Sequence, residues 1–152
     1  MKPIVRLAII GCGMISRFHI DAIRQIKTAE LAGVYDPRTE AAERVATEQA
    51  VRAYRSLDEL WNDRSVDAVC ICTPSGTHGA LAIDALRHGK HVLVEKPMAL
   101  IREECRTIFD ESRKNGLQAG VVSQLRFSPG VQLVKQAVEQ GRLGRLCLLY
   151  TS

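Results

Sequence analysis

The segment Gly11-Cys12-Gly13-Met14-Ile15-Ser16 has the makings of a phosphate cradle. Gly11 permits a tight turn out of a strand. Gly13 lacks a Cβ, so a pyrophosphate can approach the backbone amides of Cys12, Met14 and Ile15 at the positive end of a following helix. Ser16 takes the third small position of the G-x-G-x-x-G pattern, where helix and strand pack closely. Asp36 follows Ser16 by 20 residues. At that spacing a carboxylate closing the second strand accepts hydrogen bonds from an adenosine ribose. Such an acid favours NAD, because it repels the 2′-phosphate of NADP. Arg38 keeps NADP open, since its guanidinium could hold that phosphate if Asp36 swung aside.

A second cluster lies further on. Thr73, Pro74, Ser75, Gly76, Thr77 and His78 form a loop suited to gripping ribose and phosphate. For His78 two readings stand, a hydrogen-bond donor to the ligand or a residue of a helix's first turn. Glu95-Lys96-Pro97 closes a later strand. A lysine there could hold a substrate hydroxyl or carbonyl by charge, and exchange a proton during hydride transfer; equally it could be a solvated strand end.

The elements needed to position these groups alternate along the chain. Apolar, branched runs at 4–10, 31–35, 66–72, 91–94 and 118–122, with a weak one at 52–54, read as strands, most buried on both faces. Helical patterns follow from Met14, at 39–49, at 57–61, from a Thr77 cap to Arg87, at 101–114 and at 131–140. In the first helix Ile15, Phe18, His19, Ala22, Ile23 and Ile26 form the apolar stripe. The expected fold is α/β, a doubly wound parallel sheet of six strands, with ligands at the switch point between the Gly11 loop and the loop after Cys72.

Composition narrows the classes. The chain has 152 residues, 46% hydrophobic and 25% charged, with formal charge +4. Disorder and coiled coil are excluded as descriptions of such a sequence. Basic residues are dispersed, the longest cluster being Arg87, His88, Lys90 and His91, and aromatics are 5%. No nucleic-acid partner is expected. Neither a membrane span nor a signal peptide is visible, so a cytoplasmic location is expected. Five unpaired-looking cysteines fit reduced thiols. Cys70 and Cys72 share one face of a strand and read as small buried residues rather than ligands. No metal site is expected.

GCGMISRFHIDAI at 11–23, CTPSGTHGALAIDALRHGKHVLVEKPMAL at 72–100 and QLRFSPGVQLVKQAVEQGRLG at 124–144 resemble the glucose–fructose oxidoreductase/inositol dehydrogenase (Gfo/Idh/MocA) family. The resemblance implies an NAD(P)-dependent oxidoreductase of sugars, polyols or related small molecules. It places Lys96 beside nicotinamide and substrate, and Glu95, Thr73, Pro74 and His78 along the cofactor. Gln124 and Arg126 then approach the nicotinamide end or the substrate, and the Lys96–Pro97 bond is expected to be cis. Ser16 and Ser75 depart from the usual Gly or Ala and Asn. The family carries a second α/β domain that completes the substrate pocket and supports homo-oligomers. On this reading residues 1–125 are the dinucleotide-binding domain. Residues 126–152 are a connecting helix and first strand, Leu146–Tyr150, of a domain cut short, and the chain is expected to be incomplete for catalysis. Two other classes share parts of the pattern. One is a non-catalytic NAD(P)-binding sensor. The other is an S-adenosylmethionine methyltransferase, in which Glu-Lys-Pro has no purpose.

Overall fold

A computed structural model describes residues 3–147. Strand and helix alternate as expected: β1 (Val5–Ile10), α1 (Met14–Gln25), β2 (Ala29–Tyr35), α2 (Thr39–Gln49), β3 (Arg52–Ala53), α3 (Leu57–Asn62), β4 (Ala68–Ile71), α4 (His78–Arg87), β5 (His91–Val94), α5 (Arg102–Lys114) and β6 (Ala119–Val121). The chain divides into two compact units, one ending at Val122 and the other beginning at Ser123. The second contains a 3-10 turn, Gln124–Phe127, and α6 (Pro129–Glu139). Ser128 caps α6, its hydroxyl accepting from the Val131 N–H at 3.4 Å. Proline at the first turn explains why the helix begins two residues before its apolar pattern. The expected strand Leu146–Tyr150 lies largely outside the described residues.

The six strands of the first unit form one parallel sheet in the order β3-β2-β1-β4-β5-β6. The winding reverses between β1 and β4, whose register runs from Leu7 opposite Ala68 to Ile10 opposite Ile71. Successive strand side chains point to opposite faces, and the core divides accordingly. Ala8, Ile10, Val69, Ile71, Val92 and Val94 meet Leu60, Trp61, Ala82, Leu86 and Ile108 on one face. Ile9, Val34, Cys70 and Cys72 meet Ile20, Ile23 and Val45 on the other, joined by Cys12. Helices therefore cover both faces, and that is why the strands read as apolar runs without alternation.

Helix α1 corrects the sequence reading. Its buried residues are Ser16, Ile20 and Ile23, spaced as one face of a helix. Phe18, Ile26 and Ala22 are exposed instead. The small side chain of Ser16, with no exposed surface, lets the helix approach the sheet along that line, and a stripe chosen by hydrophobicity alone misses it. Lys90, counted by sequence in the longest basic cluster, is buried, and its Nζ donates to the carbonyls of Asp63 at 2.7 Å and Val66 at 2.9 Å. Burial lowers its pKa from the ordinary lysine value, against the nearby charges of Asp63 and Asp67. His88 stays at the surface, stacked on Trp61 with ring centroids 5.7 Å apart.

Candidate active site

A cleft of about 850 Å³ runs along the carboxyl ends of β1, β2 and β4. Gly11, Gly13, Met14 and Ile15 line it from the first loop, Asp36, Pro37 and Arg38 from the second, and Thr73, Pro74, Gly76 and Thr77 from the third. The topology explains the convergence. β1 and β4 are neighbours whose following connections leave in opposite directions, which opens a crevice at their ends.

Gly11 adopts φ +97°, and a Cβ there would stand 2.8 Å from the backbone carbonyl of Cys72. No other residue fits that turn. Gly13 differs, since a Cβ on it would meet no protein atom within 4 Å. The fold does not require glycine at that position, so the free space serves whatever enters the cleft. Ser16 closes the loop from below by donating its hydroxyl to the Gly13 carbonyl at 2.6 Å. Cys12 contributes its backbone alone. Its thiol turns into the core, and burial, with help from Asp36, pushes its pKa up to about 11. Its N–H donates to Asp36 Oδ2 at 2.8 Å.

Asp36 is 6% exposed. Besides Cys12 it accepts from the Arg38 N–H at 2.9 Å and Arg38 Nε at 3.2 Å. Burial alone would raise its pKa; the hydrogen bonds from Arg38 and Cys12 outweigh this and leave the carboxyl below its ordinary value. Arg38 has its side chain 71% exposed, while Asp36 is held by two main-chain donors. The NADP alternative, which needs Asp36 to swing aside, requires both of those bonds to break.

The other residues singled out by sequence have these places. Thr77 precedes α4 but does not cap it with its side chain. A 3-10 turn, Ser75–Thr77, leads into the helix, and the Thr77 hydroxyl lies 2.7 Å from that of Thr73 and 2.8 Å from the Pro74 carbonyl. His78 turns away from the cleft. It is 1% exposed, with Nδ1 2.7 Å from the Pro97 carbonyl and Nε2 2.8 Å from the Thr73 carbonyl. Of its two sequence readings, the first-turn residue is the one observed, with the added task of joining two loops. Glu95 is buried at the end of β5 and bonds to His19 at 2.9 Å. Lys96 follows it with an exposed side chain, and the Lys96–Pro97 bond is cis as expected. Gln124 and Arg126 belong to the 3-10 turn of the second unit. Among the described residues no group of three His, Cys, Asp or Glu is placed to hold a metal ion, and no helix is long and apolar enough to cross a membrane.

Sequence reasoning missed the roles of Leu57 and Leu81, which wall the cleft from α3 and α4, and of His19, read there only as part of an apolar stripe. The helical turn at Leu57 was legible, its position over the cleft was not.

A family model described as an oxidoreductase family with an NAD-binding Rossmann fold matches residues 5–123. The chain belongs to the Gfo/Idh/MocA family. It is 38% identical over 133 residues to UDP-N-acetylglucosamine 3-dehydrogenase of Acidithiobacillus ferrooxidans, covering 88% of this chain and 41% of that protein. To scyllo-inositol 2-dehydrogenase (NAD(+)) of Bacillus subtilis it is 32% identical, over 95% of this chain and 43% of the relative. Among solved structures it resembles the WlbA dehydrogenase of Bordetella pertussis in complex with NADH and UDP-GlcNAcA, with a TM-score of 0.90 and 37% identity over 95% of this chain and 42% of that one. The chain thus spans about two-fifths of the length of such Gfo/Idh/MocA relatives. The match confirms the doubly wound fold and the family expected from the Gly11 loop and the Glu-Lys-Pro segment.

Proposed function

We propose that this chain is the dinucleotide-binding part of a nicotinamide-dependent oxidoreductase that moves hydride to or from a CH–OH carbon of a sugar, polyol or related small molecule. The observation that carries this reading is the pairing of Gly13 with Asp36. One opens space that no protein atom needs, and the other offers a buried carboxylate lining the same cleft. An adenosine pyrophosphate has the shape and polarity to use both. The nicotinamide ring, when bound, supplies the hydride acceptor or donor.

The protein's own residues have distinct tasks. The amides of Met14 and Ile15 face the phosphates from the start of α1, where the helix dipole favours anions, while the Cys12 N–H stays on Asp36. Asp36 accepts the two ribose hydroxyls once the exposed Arg38 side chain leaves its oxygens. Because Asp36 is held by the Cys12 and Arg38 N–H groups, it cannot yield to a 2′-phosphate without breaking both, and this supports NAD over NADP. Thr73 and Pro74 border the cofactor's middle. Lys96, at the end of β5, orients the substrate oxygen by charge and gives or takes its proton. The relatives named above support the sugar or polyol class.

The test is a fluorescence titration of the chain with NADH. Saturable binding that Gly13→Ala weakens without lowering the melting temperature is expected. Absence of binding by the unaltered chain overturns the reading.

A further inference from the structure

His19 and Glu95 join two elements that approach each other at the carboxyl edge of the sheet. His19 sits on α1, the helix whose first turn frames the Gly11 loop, and Glu95 directly follows β5. His19 Nε2 lies 2.9 Å from Glu95 Oε1, and each side chain is only 12% exposed. The second carboxylate oxygen is also engaged, accepting from the Lys96 N–H at 3.2 Å. The Glu95 N–H donates to the Ile71 carbonyl of β4 at 3.0 Å. Glu95 is therefore fixed in three directions, toward α1, toward β4 and toward Lys96.

A polar pair drawn this far out of water gives no clear gain in stability over apolar side chains of similar volume. Its geometry suggests another use. The phosphate loop at the start of α1 and the lysine after β5 are parts of different βα units, and nothing in the sheet's hydrogen bonding links one loop directly to the other. His19 and Glu95 supply that link in two hydrogen bonds, Nε2 to Oε1 and N–H to Oε2.

We propose that His19 is a positioning residue. Through Glu95 it sets the Lys96 peptide, and so couples the seating of dinucleotide phosphates on α1 to the placement of the lysine at the nicotinamide end. The inference rests on the reading of the cleft as a nicotinamide dinucleotide site.

The test compares the unaltered chain with His19→Ala, His19→Met and His19→Gln, each titrated with NADH and with ADP-ribose, which has the same adenosine and phosphates but no nicotinamide. His19→Ala is expected to bind NADH about fivefold more weakly, the worth of one hydrogen bond, with ADP-ribose affinity unchanged. His19→Met fills similar space without a donor and is expected to match it, so an unfolded alanine variant does not end the test. His19→Gln can donate its amide to Glu95 Oε1, and restores NADH affinity to within about twofold even where its melting temperature stays lowered. Equal losses for both ligands, no loss, or no rescue by glutamine overturns the positioning role and leaves the dinucleotide site standing. Failure of the unaltered chain to bind either ligand overturns both.

Discussion

The imidazole of His78 holds the carbonyl of Pro97, with Nδ1 2.7 Å from that oxygen, while Nε2 lies 2.8 Å from the Thr73 carbonyl. A side chain at the start of α4 thereby ties the loop after β4 to the loop after β5. Lys96 lies between two contacts, its own N–H bound by Glu95 and the carbonyl of the following Pro97 packed against the His78 ring.

His78→Phe keeps a ring of similar size and removes the ring N–H that one of these carbonyls accepts. A carbonyl beside a buried ring then loses its donor, a change expected to cost about 1–3 kcal/mol. Chemical denaturation of the two proteins measures it. A loss below about 0.5 kcal/mol would show that the loops hold without the ring.

Gly11 and Gly13 are expected to behave differently. Gly11→Ala forces a side chain into the Cys72 backbone at positive φ, and is expected to destabilise the fold by about 2 kcal/mol or more. Gly13→Ala meets open space and leaves the melting temperature nearly unchanged while weakening NADH binding. Thermal melts with paired NADH titrations separate the two.

Asp36→Ala removes the carboxylate held by Cys12 and Arg38. NADH affinity is expected to fall about tenfold or more, the worth of a charged hydrogen bond, while NADPH affinity falls less or rises. Equal losses in parallel titrations would refute the ribose role.

Acid stability has an identifiable contributor. Asp63 accepts from the Ser65 hydroxyl at 2.6 Å and the Ser65 N–H at 2.8 Å, and also binds Tyr54 and Arg52. These bonds, those from Ser65 foremost, lower its pKa from 3.8 to about 2 against the opposing effect of burial. A depressed pKa adds stability that is complete above the unfolded value and vanishes as pH falls through the folded one. Melting temperature is therefore expected to drop between about pH 4 and pH 2, and Asp63→Asn to flatten that part of the profile.

The thiols divide by burial. Burial pushes Cys70 up to about 12 and Cys12 to about 11, and raises Cys72 further with help from Cys70. A thiolate-selective disulfide reagent is expected to label exposed Cys147 in the native protein, and Cys12, Cys70 and Cys72 only after unfolding.

Much of the fold was legible because its signals are local. Branched apolar runs and glycine breaks mark β1, β2, β4 and β5 within a residue or two. The Gly11 loop and Asp36 followed from backbone needs that one residue type satisfies. Less legible were the groups whose meaning depends on a distant partner. The α1 stripe was misplaced because a buried serine outranks an exposed phenylalanine only once the sheet is beneath it. Nothing local marks Lys90 as buried, yet two carbonyls from the turn before β4 receive it. His78 had two readings that sequence left level, and the Pro97 carbonyl, 19 residues on, decides between them.

By itself the sequence determined the order of strands and helices, the turn that only Gly11 can make, and the residue types gathered at the cleft, since each depends on periodicity, steric freedom or chemistry carried within a few residues. The tertiary structure alone decided which side chains are free and which are held. Arg38 is exposed while Asp36 is buried and bonded to two main-chain N–H groups, Cys12 serves through its amide, and His19 and His78 reach the two sides of Lys96. Those outcomes depend on burial and on partners from other strands, and burial exists only after the sheet has brought distant segments together.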